Sequence, residues 1–169
     1  MTRATFEKMW DHLRLLHGIT LRCVEAIPED QVHAHPIASM RTPKELVTHM
    51  YALMRGVARG LATGAVPDYR HDGAEVKTRA ELIAFCRECW DDSARAVAVV
   101  TEEHLNAIVQ TPWGRPLPGV AVMGALNDEY LHHRGQLYAF LRAMGQDVPS
   151  IWDFAGNAPE YRPRQTTNA

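Results

Sequence analysis

Glu129 and His133 stand four residues apart in the run Asn127-Asp128-Glu129-Tyr130-Leu131-His132-His133-Arg134-Gly135-Gln136, and His49 stands far upstream. On an α-helix successive side chains turn by ~100°, so positions i and i+4 lie about 40° apart on one face and can converge on a single ion. Leu126, Tyr130, Leu137 and Phe140 set the apolar stripe of that helix; Glu129 and His133 fall at its edge, and His132 points away. A carboxylate on such a stripe is unfavourable unless its charge is compensated, which a metal ion would do. His49 shares the inward side of its own segment with Leu46, Met50 and Leu53, and bundles build metal sites from side chains on facing helices. Two imidazoles and one carboxylate leave coordination positions open, as in zinc hydrolases and non-haem iron enzymes. Zinc is the first candidate, with nickel, iron and manganese admitted by the same ligands. The spacing also suits a plain Glu–His pair in the core, and a lone inward histidine is commonly a hydrogen-bonded core residue.

Other residues carry weaker signals. Gln136 lies one heptad after Glu129 and either contacts a bound water in the site or is a hydrogen bonder on the helix flank. His132 reads as a flank residue or as a donor that orients a ligating imidazole. Gly135 costs ~1 kcal/mol relative to Ala inside a helix, and close approach of a neighbouring helix would explain it. His17 reads as a core histidine, and Trp113 either walls the site or packs. His12, His33, His35, His71 and His104 form no cluster and read as solvated. Cys86-Arg87-Glu88-Cys89 has the C-x-x-C form but lacks both a preceding strand and a second ligand pair. With Leu82, Ser93 and Val97 these cysteines make one helix face, so they read as small core residues.

Four amphipathic helices must position these groups. The first is expected over about 5–26, with Phe6, Met9, Trp10, Leu13, Leu16 and Cys23 at helical spacing and Pro28 as terminator. The second opens at Thr42-Pro43-Lys44-Glu45, a capping box with Pro at the first helical position, and fades near Gly64. Thr78-Arg79-Ala80-Glu81 opens the third by the same device, and the fourth runs from about Gly119 to Met144, with Gly145 closing it. No segment alternates with period two, so no strand is expected. The connections, about 28–41, 64–77 and 102–118, are longer than bundle turns, which allows a crossover and tends to carry function. The fold class is therefore all-α. Residues 1–156 are read as one bundle domain and 157–169 as a polar, flexible tail.

The chain has 169 residues, 46% hydrophobic and 22% charged, with a formal charge of −2. That suits a single globular domain. No basic stripe argues for nucleic acid, no apolar run reaches membrane-spanning length, and no signal-peptide core opens the chain. Three cysteines without a secreted context argue against a disulfide framework. The reading is a cytoplasmic protein.

His132-His133-Arg134-Gly135-Gln136-Leu137, followed by Leu141-Arg142, Gly145 and Pro149, resembles the last helix of the DinB/YfiT-like family, whose signature is His-x-x-x-His-Arg-Gly-Gln and then Leu-Arg, Gly and Pro. Thr42 to Met50 is similar to the family's second helix, which carries another ligand histidine, here His49. Thr111-Pro112-Trp113-Gly114 also looks like family members, and the likeness spans about 5–154. It implies a four-helix bundle of up-down-down-up topology, a three-histidine metal site and, in several members, a homodimer. Members include metal-dependent thiol S-transferases, a maleylpyruvate isomerase and hydrolases. This sequence departs at Glu129, which stands where the family has its first last-helix histidine. Glu129 then reads as a ligand, as a general base, or as the mark of a lost site.

The expected function is a metal-binding enzyme with a small electrophilic substrate and, as co-substrate, a low-molecular-weight thiol. The metal would acidify a thiol or a water for transfer or hydrolysis. His49, Glu129 and His133 would hold it; Glu129 and Gln136 are the catalytic candidates. The competing expectation is a non-catalytic dimeric bundle with a structural or vestigial site.

Overall fold

Thr42 and Thr78 each accept a hydrogen bond from the backbone N–H three residues on, while Glu45 and Glu81 accept one in return from the cap backbone N–H. Both capping boxes expected from sequence are thus formed, and they start two of the long helices. The structure, a computed structural model, describes residues 1–164. It contains α1 (Arg3–Glu25), α2 (Pro43–Thr63), α3 (Arg79–Ala98), a short α4 (Glu102–Asn106) and α5 (Gly119–Ala143). Gly64 ends α2 with φ 85°, the left-handed conformation in which glycine has no Cβ penalty.

The four long helices form the bundle. α2 packs most extensively on α3 and α5, and α1 also packs on α3 and α5. Helices consecutive in sequence, α1 and α2, are therefore not the main neighbours, as the long 26–42 connection allows. The core between them includes Phe6, Leu16, Met50, Met54, Leu126, Leu137 and Phe140. Cys86 and Cys89 lie in it as free, buried thiols, and burial raises the Cys89 thiol to about 12. The core reading of the C-x-x-C run follows from that. No helix among the described residues is long and apolar enough to cross a membrane.

Three expectations need correction. Two strands do occur, β1 (Ile108–Val109) and β2 (Leu117–Pro118), paired antiparallel; at two residues each they are too short to produce a periodic signal. The boundary at residue 157 is not where packing stops. Asn157 is 1% exposed, its side-chain amide donates to the Leu15 and Tyr161 carbonyls, and Tyr161 stands edge-on to His17 and Trp90. A polar composition hid this because the contact is made by one amide and one aromatic ring; residues 165–169 lie outside the described residues. Nor does a helix approach Gly135, where an added Cβ would meet nothing within 4 Å.

Close approaches elsewhere shape the region around His49. His49, Leu53, Gly56 and Gly60 line one stripe of α2 at helical spacing. The chain after α2 folds back onto it: a Cβ on Gly60 would lie 2.8 Å from the Val66 Cα, and one on Gly56 3.0 Å from the Tyr69 ring. The two glycines admit this return, which brings Tyr69 beside His49. Val66 and Gln110 then join backbone to backbone (2.8 Å), so the 64–78 and 107–118 segments are tied together over the same end of the bundle.

Candidate metal centre

α5 has no side-chain N-cap; its start is set by Gly119, whose N–H bonds the Ala107 carbonyl and whose missing Cβ leaves room for the His104 carbonyl. From that fixed start Glu129 and His133 project toward α2. His49 on α2 completes the group, and one ligand atom from each of the three lies within 4.8 Å of the others. His133 Nε2 is 3.0 Å from Glu129 Oε2, and His49 Nε2 is 3.9 Å from the same oxygen. The two imidazole rings stand 4.9 Å apart and nearly perpendicular. Two ligands ~2.1 Å from one ion are separated by about 3.0–3.4 Å at octahedral to tetrahedral angles; the His133–Glu129 distance of 3.0 Å is of that size, and His49, at 3.9 Å, would draw in to share the ion.

Hydrogen bonding on the far side of His133 fixes its chemistry. His133 Nδ1 lies 2.8 Å from Gln136 Oε1, an acceptor, so Nδ1 carries the proton. The Gln136 amide N–H in turn donates to His132 Nε2 at 3.0 Å. With Nδ1 protonated, the neutral His133 ring presents its lone pair at Nε2. Among the described residues this nitrogen is buried without a hydrogen-bond partner, because the Glu129 oxygen at 3.0 Å is close but out of line. An orphaned, correctly tautomerised imidazole nitrogen facing a carboxylate and a second imidazole fits a divalent cation. Gln136 and His132 act here through His133, by orienting it.

His49 is a neutral imidazole near neutral pH. Burial first, then the Arg41 charge and any proton taken up by His133, push its pKa down to about 4, against the attraction of Glu129. Glu129 differs from expectation in one respect: its side chain is 49% exposed, so desolvation of the carboxylate is not what calls for a metal. The unpaired lone pair of His133, whose side chain is 7% exposed, is the stronger reason.

Around the three ligands lie side chains that periodicity did not identify. A chamber of ≈ 320 Å³ is lined by His49, Leu53, Tyr69, Trp113, Ala125 and Glu129. Trp113 Nε1–H donates to the Tyr69 hydroxyl at 3.0 Å, which leaves the phenol's own proton free. Burial holds the Tyr69 phenol above its ordinary pKa, so it remains a donor. Trp113 thus walls the site, one of the two roles its position allowed. The other long-loop residue at the centre, Arg41, precedes the α2 cap; only the length of the connections pointed to either loop.

Of the remaining histidines, His71 lines a cleft that also reaches His49, and the others are placed elsewhere. His17 is fully buried, stacked on Trp90 at 4.5 Å with its Nδ1 2.7 Å from the Tyr51 hydroxyl, and burial lowers its pKa to about 3. It is a core residue. His33, His35 and His104 are not merely solvated: each bonds main chain, at the Lys77 carbonyl, the Met40 carbonyl and the Thr101 N–H. Such contacts leave no periodic trace.

The sequence profile of the DinB superfamily matches residues 12–137. The uncharacterized protein YjoA of Bacillus subtilis is 22% identical over 136 residues, covering 79% of this chain and 87% of YjoA. The crystal structure of that DinB-like protein superposes with a TM-score of 0.71 at 20% identity, over 94% of this chain and 99% of the other. A mycothiol-dependent maleylpyruvate isomerase superposes with a TM-score of 0.61 at 16% identity, over 89% of this chain and 68% of the isomerase.

Proposed function

Because the chain belongs to the DinB superfamily, we propose that it is a metal-dependent enzyme, a thiol S-transferase or a hydrolase, acting on a small electrophilic substrate. His49, Glu129 and His133 hold the cation. The observation that carries this reading is the buried, unpartnered His133 Nε2, whose ring proton is committed to Gln136 on the other side. Zinc suits the ligand set best, with nickel, iron and manganese as alternatives.

A divalent cation held there lowers the pKa of a coordinated thiol or water toward neutrality. The protein's part is to place and deprotonate the nucleophile. Burial keeps His49 a neutral donor, and the hydrogen bond from His133 Nδ1 to Gln136 orients that ring with Nε2 toward the site. Glu129, half exposed at the mouth of the chamber, has a second oxygen that can take the proton from a thiol or water. Leu53 and Trp113 keep one wall apolar, and the Tyr69 hydroxyl offers a donor to an oxygen that gains charge on the electrophile. The likeness to an isomerase that depends on mycothiol supports thiol transfer ahead of hydrolysis. A chamber beside the ligands supports catalysis over a closed structural site. The protein works in the cytoplasm as a homodimer; exposed Leu131, Ile151 and Trp152 supply apolar surface for the second copy.

The test is metal content of untagged protein purified without chelators, beside His49→Ala and His133→Ala. Wild type should hold close to one equivalent and both variants should lose most of it. Equal metal in all three refutes the site.

A further inference from the structure

The chamber between Tyr69 and Trp113 is one of two spaces that meet at the metal centre. A second cleft, ≈ 400 Å³, opens on the other side of His49 and Tyr69 and is lined by Arg41, Lys44 and Thr48 among others. His49 and Tyr69 line both spaces, so the two meet at the candidate ligand histidine. Each has the size of a small-molecule site. Arg41 also lines the adjoining space next to His133 and Gln136, and its charge acts on His49.

The two spaces differ in chemistry. The Trp113 side is walled by Leu53, Ala125 and two aromatic rings. The Arg41 side is polar, and its charges are unevenly committed. Asp72 holds Arg55 at 2.6 Å, Asp68 holds Arg70 through paired hydrogen bonds, and Glu45 accepts the Thr42 N–H at 2.9 Å as part of the α2 cap. Among the described residues Lys44 reaches only the Ala74 carbonyl, at 3.4 Å. Arg41 has no ion-pair partner among the described residues. Two cations are thus left without a carboxylate beside a centre whose other wall is apolar. A guanidinium in that position is suited to bidentate capture of a carboxylate.

We propose that the two spaces together form a groove that binds a carboxylate with an apolar body, its charged end on Arg41 and Lys44 and its body between Tyr69 and Trp113, so that the intervening atoms lie over His49. This deepens the metal-centre reading and rests on it for the place of reaction, but the binding itself needs only the groove.

Hydrocinnamate and its neutral amide are the probes, titrated by calorimetry into zinc-loaded and into chelator-treated protein. The acid binds at least about tenfold tighter than the amide in both forms. Arg41→Gln removes that preference at unchanged zinc content, and Trp113→Ala weakens acid and amide together. Mercaptoacetate against mercaptoethanol is the second pair: loss of preference for mercaptoacetate in Arg41→Gln puts the anion on the thiol, and loss for hydrocinnamate alone puts it on the electrophile. Equal binding of acid and amide overturns the proposal. So does acid binding that needs zinc and ignores Arg41→Gln, since the cation would then hold the carboxylate; the metal centre would survive that result. Conversely, Arg41-dependent binding in a protein that takes up no zinc sinks the metal centre alone.

Discussion

Glu129→Gln separates the metal reading from a plain ion pair, because the two give opposite signs in the metal-free protein. His133 donates through Nδ1 to Gln136, which in the neutral ring leaves Nε2 without a hydrogen. In the metal-free protein the Glu129 carboxylate, 3.0 Å away, then sets one acceptor against another. Glutamine is nearly isosteric and brings an N–H. Its half-exposed side chain has room to turn that N–H onto the Nε2 lone pair. Satisfying one buried acceptor gains ~1–3 kcal/mol, and a rim position favours the lower end. We therefore expect the variant to be more stable by about 1 kcal/mol with chelator present, a rise of about 2–4 °C in Tm for a chain of this size. Zinc at a thousand times its Kd should stabilise wild type by about 4 kcal/mol, or about 8–16 °C, and the variant far less, because a neutral amide is a poor ligand. Thermal melts at pH 7.5, with chelator and with added zinc, read both shifts. A lower melting temperature for the variant in chelator would mean that His133 is protonated and paired with Glu129. The tautomer argument would then fail, and an unchanged zinc shift would remove Glu129 from the ligand set.

Other consequences are as direct. His17 takes up protons far less readily folded than unfolded, its pKa falling from 6.5 to about 3 by burial. The unfolded chain therefore binds more protons between those values, and stability is lost as pH falls through that window. Urea melts should show about 2–3 kcal/mol less stability from this group at pH 4.5 than at pH 7.5, and His17→Phe should flatten the slope. Gly60→Ala should destabilise by about 1–3 kcal/mol, since its Cβ would meet the Val66 backbone. Gly135→Ala should stabilise by about 0.5–1 kcal/mol, its Cβ meeting nothing within 4 Å; a loss there, measured with the oligomeric state, would show that a second copy covers this face. Trp113→Phe removes the hydrogen bond to Tyr69 and should speed amide exchange in 64–77 without lowering metal content.

The sequence by itself determined the four long helices and the pairing of Glu129 with His133 on one face of α5. Thr42, Pro43 and Glu45, and Thr78 and Glu81, satisfy helix ends from within four residues, so the start signals are local and stand in the chain as written. The i, i+4 relation of Glu129 and His133 follows from helix geometry alone. Tertiary structure decided what surrounds them. Tyr69 reaches His49 because Gly56 and Gly60 let a loop lie on α2, and Trp113 reaches Tyr69 because two loops share backbone hydrogen bonds. Asn157 closes against α1 across more than a hundred residues. Whether Gln136 faced water or His133, and whether Glu129 was sealed in or left at the rim, also waited on the packing of α5 against α2. Contacts within a helical turn are set by local geometry, and those between distant segments by how the chain closes on itself; only the first kind leaves a periodic mark in a single sequence.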